Sequence, residues 1–225
     1  MKDLSPAAIA RIGGGLYLVN IVAGAYAVGF VAGALVVPGH AATTAHNIAS
    51  NELLFRTGLA AHVVVTATNV PLALVFYELF KVVDRRLAAL VVLFTVVATA
   101  IETVGVLFQL AALGNLDDLG TIALALNAQA AAYDLSTVFF GFNALALGYL
   151  VAASTFLPRA IGVLLVVDGL AYLVYAFSDF VAPGFAAHLV PWFQLLILAG
   201  EGSLTLWLLF GGLRVARWRQ LEVAV

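Results

Sequence analysis

Cysteine is absent from this chain, which excludes disulfides, thiolate metal sites and cysteine nucleophiles. Charge is nearly as scarce. Only 10% of the residues are Asp, Glu, Lys or Arg, against about 25% in an ordinary soluble domain, so the chain lacks the polar groups to cover a water-facing surface. The small net charge of −2 gives no reason to expect a nucleic-acid partner. Enzyme motifs are missing as well: there is no His-Glu-x-x-His, no Walker loop and no Gly-x-Ser-x-Gly elbow. Gly13-Gly14-Gly15 has no strand before it and reads as close helix packing.

What is present is apolar length. The 225 residues are 64% hydrophobic with a mean hydropathy of +1.10. Spans are expected near 12–36, 53–80, 87–113, 126–152, 160–182 and 191–213, each long enough to cross a hydrocarbon core about 30 Å thick. Pro38-Gly39, Gly114-Asn115, Pro158 and Pro183-Gly184 mark turns between them. The runs are continuous rather than alternating in short segments, which disfavours a β-barrel. The expected fold is therefore all-α, one six-transmembrane-helix bundle over residues 1–225 with no separate soluble domain. The short polar start shows no cleavable signal pattern, so the first span reads as retained.

Of the ten Lys and Arg residues, all but Arg56 fall on one side of this topology. They are Lys2, Arg11, Lys81, Arg85, Arg86, Arg159, Arg214, Arg217 and Arg219. The positive-inside rule then puts both termini in the cytoplasm, and the expected location is a cytoplasmic membrane. The loop 38–51 and the segment 116–125 fall outside, the latter as a short interfacial helix.

Five acids sit inside the spans: Glu102, Asp134, Asp168, Asp179 and Glu201. An ionisable group at bilayer depth costs several kcal/mol unless it is neutralised or paired, and such groups mark functional sites. They lie on polar stripes. His62, Thr66 and Asn69 share one helix face, as do Thr95, Thr99, Glu102 and Gln109. Asn127, Asp134, Thr137 and Gly141 share another; Asp168, Tyr172, Tyr175 and Asp179 a fourth; and Gln194, Glu201 and Thr205 a fifth. At 1.5 Å per residue, His62, Asp134, Asp168 and Glu201 come out roughly 15 Å deep, with Asp179 and Arg56 nearer the outer mouth. Pro71 is the only proline inside an expected span. Ala25, Gly29 and Gly33 form a small-residue ridge, read as packing within the chain, and Trp192, Trp207, Trp218 and Tyr149 read as interfacial or lipid-facing.

The stretch Gly148-Tyr149-Leu150, Ser154, Phe156-Leu157-Pro158-Arg159, Gly162-Val163-Leu164-Leu165 and Gly169-Leu170-Ala171-Tyr172-Leu173 resembles the bacterial membrane proteins grouped as domain of unknown function 4386. Arg11-Ile12-Gly13-Gly14, Leu54-Phe55-Arg56, Gly200-Glu201 and Leu206-Trp207-Leu208-Leu209 match too, so the resemblance covers nearly the whole chain. It implies a multi-pass membrane protein and names no activity. The chain departs from the pattern where His40 and Asn69 stand in place of expected acids. The fit of Arg56 and Glu201 to the pattern implies an internal ion pair or ligand clamp.

The expected function is binding or transport of a small molecule or ion through an outward-opening polar cavity. The site would be built from Arg56, His62, Asn69, Glu102, Asp134, Asp168, Asp179 and Glu201, with the lipid bilayer as the surrounding partner. Two other readings stay open. One is a metal-assisted intramembrane enzyme acting on lipid, for which His62, Glu102, Asp134 and Glu201 are the available ligands. The other is a structural subunit of a membrane complex. The residues name no cofactor and no oligomeric state.

Overall fold

A computed structural model describes residues 4–224, so Lys2 lies outside the described residues. The architecture is all-helical, and six helices are long and apolar enough to cross a membrane. They are α1 (Pro6–Leu35), α3 (Glu52–Phe80), α4 (Arg85–Leu113), α5 (Leu119–Ala153), α6 (Arg159–Val181) and α7 (Pro183–Gly211). Among the described residues two short helices accompany them, α2 (Ala41–Ser50) and α8 (Val215–Ala224). The chain is a multi-pass membrane protein.

The helix starts follow local chemistry. Ser5 accepts a hydrogen bond from the Ala8 N–H with Pro6 in the first turn, and Asp84 accepts from Arg86 and Leu87. These are N-caps for otherwise orphaned amides. Asp118 does the same for Gly120 and Thr121, and the Thr121 hydroxyl adds a third bond at 2.6 Å. Those donors hold the Asp118 carboxyl below its ordinary range. The cap also overturns one expectation: 116–125 is not a separate interfacial helix, because α5 runs on unbroken from Leu119. Likewise α7 begins at Pro183, whose missing N–H is harmless in a first turn, so Pro191 lies inside a helix along with Pro71. Expecting a single intrahelical proline was wrong for that reason.

Each spanning helix packs on its neighbour in sequence, and α7 returns to α1, so the six close into a ring. We call the end holding the start of α1 and the end of α7 proximal, and the other distal. The proximal end is plugged. Leu79, Phe80, Leu150, Phe156, Leu165 and Leu208 are almost fully buried there, and the Phe80 and Phe156 rings stack at 5.8 Å. Trp218 of α8 belongs to this plug; it is buried and donates to the Leu79 carbonyl at 2.9 Å. The expectation of an interfacial or lipid-facing Trp218 fails because the ring is buried and its indole N–H finds a carbonyl inside the protein. Gly13 and Gly14 do pack closely, against Val75 and Leu209.

At the distal end α2 covers only part of the ring. Its Ile48 is fully buried against Val31, Leu35 and Phe55, and Asn47 donates to the Leu35 carbonyl. It touches α3 and α5 and leaves the α6–α7 side uncovered.

Candidate functional site: a central cavity

Between the plug and the distal cover lies a cavity of about 360 Å³, lined by all six spanning helices. Its polar groups sit near mid-span. Glu102 and Glu201 face it, as do Asn20 and Asn69, with Tyr133 near both carboxyl groups. No Lys or Arg among the described residues lines it.

On one wall His62 Nε2 meets Glu102 Oε1 at 3.1 Å, and Nδ1 meets Gln109 Oε1 at 3.3 Å. A glutamine carbonyl oxygen only accepts, so Nδ1 carries a proton. The contact between Nε2 and Oε1 is a hydrogen bond when a second proton lies between them. Whether it is drawn as imidazolium with carboxylate or as neutral imidazole with carboxylic acid, the pair is neutral overall, and that makes it tolerable at bilayer depth. Glu102 Oε2 is left without a partner.

A second wall is built by Asn20. Its amide donates to Asn69 Oδ1 at 2.8 Å, to Thr68 at 3.1 Å and to the Val65 carbonyl at 3.0 Å, fastening α1 to α3 ahead of Pro71. Asn69 Nδ2 then remains buried and unpartnered. Opposite, Tyr172 donates to Glu201 Oε1 at 3.0 Å, and Tyr17 stands beside the same carboxyl.

The expected site residues divide into three groups. Asn69, Glu102 and Glu201 are brought to the cavity, and His62 stands buried behind Glu102, bonded to it. Asp134 and Asp168 are not. Asp134 is buried beside Asp179 on the α5–α6 side, and Asp168 is fully buried against Gly200 with neither oxygen bonded. Asp179 is half-buried and does not line the cavity. Arg56 forms no clamp with Glu201. It is exposed and pairs with Glu52 at 2.7 Å, one helical turn away, since a neighbour at i−4 is within reach whatever the bundle does. Asn127 is exposed and drops off its stripe. Among the described residues no three His, Asp or Glu side chains are placed to hold one metal ion, so His62, Glu102, Asp134 and Glu201 do not form the expected ligand set.

Tyr17, Asn20, Tyr133 and Asn143 were not among the expected site residues. Tyr17, Asn20 and Gly24 recur at helical spacing on α1, a signal that was legible but outweighed by the glycines around it. Gly200 also carries a specific role. A Cβ there would lie 2.8 Å from the Asp168 Cβ and 3.0 Å from its Oδ2. Gly200→Ala is therefore expected to destabilise the α6–α7 seam by about 1–3 kcal/mol, read as a fall in unfolding free energy in mixed micelles.

Residues 12–212 match the family described as Domain of unknown function (DUF4386). The chain belongs to this family. No curated protein matches it, and no solved structure does. As a DUF4386 member it has its family's stretch spanning the whole ring, from the proximal part of α1 to the end of α7. The cavity is thus enclosed entirely within the family's own fold.

Proposed function

We propose that this protein binds a small molecule in its central cavity, uncharged or cationic and able to donate hydrogen bonds. One observation carries the reading: two carboxyl-bearing side chains, Glu102 and Glu201, face a cavity with no Lys or Arg in its described lining. An anion would find no countercharge at a depth where an unpaired charge costs several kcal/mol. The volume falls within the roughly 300–1,000 Å³ typical of ligand pockets. Arg11, Lys81, Arg85, Arg86, Arg159 and Arg214 all lie at the proximal end. The positive-inside rule supports a cytoplasmic proximal end in a bacterial inner membrane, with a distal, outward-facing site. The proximal plug supports binding over open passage; transport requires that plug to part.

The test uses three short probes of equal chain length on protein in lipid nanodiscs: hexylamine, hexanol and hexanoate. Hexylamine and hexanol should raise the melting temperature and hexanoate should not. Glu201→Gln and Glu102→Gln should each weaken hexylamine binding by about 10- to 100-fold, the worth of a hydrogen bond to a charged group. Equal stabilisation by hexanoate, or none by any probe, sinks the reading.

A further inference from the structure

The ring has one weak seam. The proximal part of α1 packs on α7, but its distal part, Ala25–Ala32, rests on α3 and makes no comparable contact with α7. Across the gap α7 is largely exposed from Pro191 to Ala199, with only Phe193 buried, stacked on Tyr175 of α6. Gln194 is at once exposed and part of the cavity lining. On the facing side a Cβ at Gly29 would meet nothing within 4 Å. The small-residue ridge therefore does not pack within the chain, as was expected of it; Ala25, Gly29 and Gly33 are all exposed. At 1.5 Å per residue the gap lies roughly 9–15 Å below the distal end of α1, within hydrocarbon depth.

We infer that the cavity takes a single-chain amphiphile from the distal leaflet through the gap between α1 and α7, with an uncharged head that both donates and accepts hydrogen bonds, such as a long-chain alcohol. The inference rests on the binding reading above and narrows it. Two residues of the lining each carry a buried, unpartnered atom, the Nδ2 donor of Asn69 and the Oε2 acceptor of Glu102. An ammonium has no acceptor for the first and a carboxylate no donor for the second, whereas a hydroxyl serves both. The route in is apolar, bordered by Val28, Ile197 and Leu198. A volume of about 360 Å³ stands at the low end for ligand pockets, so a head and part of a chain fit while the tail stays in the seam among lipid.

The experiment uses the full chain in phosphatidylglycerol nanodiscs with a diazirine-bearing dodecanol, photolysis, and mapping of the labelled peptides. Wild type should label beside Asn69 and Glu102. Gly29→Trp, whose side chain enters open space and so leaves folding intact, should lose that label. Gly33→Trp, equally open but outside the lining, should keep it. Hexanol binding should persist in Gly33→Trp. If hexanol binds wild type but dodecanol labels only outward residues such as Leu107 and Val174, or if Gly29→Trp leaves the cavity label unchanged, lateral access is overturned while the binding reading stands. If neither alcohol binds, both fall. The chain has no cysteine, so Gly29→Cys is a unique thiol. Efficient disulfide crosslinking of two copies through it would show that a second chain covers the gap, and would also overturn the route.

Discussion

Replacing His62 by alanine should lower the stability of the bundle by about 3–5 kcal/mol, the cost of stripping one member from a buried pair. An ordinary interhelical hydrogen bond in a membrane is worth only ~1 kcal/mol. The difference lies in what the substitution leaves behind. His62 is 2% exposed and supplies the one hydrogen bond that Glu102 receives, Oε2 being already unpartnered. In His62→Ala both carboxyl oxygens are orphaned at bilayer depth, and Gln109 loses its bond as well. Glu102→Gln supplies an amide N–H donor to an unprotonated Nε2 and should cost about 1 kcal/mol. The double variant His62→Leu/Glu102→Leu should recover most of the loss, since buried ion pairs exchange for apolar groups with little penalty. Reversible unfolding in mixed micelles measures all three. A His62→Ala value within 1 kcal/mol of wild type would mean that the pair is not what neutralises this wall.

Gly162→Leu should prevent the bundle from assembling, and Gly162→Ala should cost about 1–3 kcal/mol. The α5–α6 seam is built backbone on backbone. A Cβ at Gly162 would sit 2.5 Å from the Ala152 nitrogen and 2.7 Å from the Gly148 oxygen, and one at Gly169 would sit 2.8 Å from the Gly141 oxygen. Because main-chain atoms are struck, no rotamer change relieves the overlap and the helices must separate. Membranes drive such contacts through close packing of small residues rather than through a hydrophobic effect between helices. Gly15→Ala, where a Cβ meets nothing, is the matched control and should be neutral or slightly stabilising. Yield in the membrane fraction and the size-exclusion profile report the outcome. Normal assembly of Gly162→Leu would mean that the seam is looser than these distances.

The spans were legible because length and hydropathy alone decide them, and the stripes of His62, Asn69, Glu102 and Glu201 were legible because helical period alone decides those. Neither signal contains the order of helices around the ring. That is why Asp134 and Asp168, equally deep and equally on stripes, were grouped with the cavity although each sits in a seam between neighbours. Arg56 misled for a related reason: a family resemblance pointed to Glu201, while the acid within reach is Glu52, one helical turn away. The Asp118 cap was readable from Asp118 and Thr121, but 116–125 was read as a separate short interfacial helix outside the span. For Ala25, Gly29 and Gly33, spacing showed a ridge and could not show which surface it met.

Both stretches with i→i+5 hydrogen bonding, Ala25–Ala32 in α1 and Trp207–Gly211 in α7, fall on the two helices that close the ring. Such turns are uncommon and concentrate at working parts of helices. The other four spanning helices form a stiff C-shaped clip, each clamped along its length by the neighbour before and after it. The two wide-turned helices are the jaws of that clip, joined near one end only. Thermal motion of the assembly should then concentrate in the opening and closing of one slot, so a guest of the kind proposed above would leave no faster than those jaws breathe.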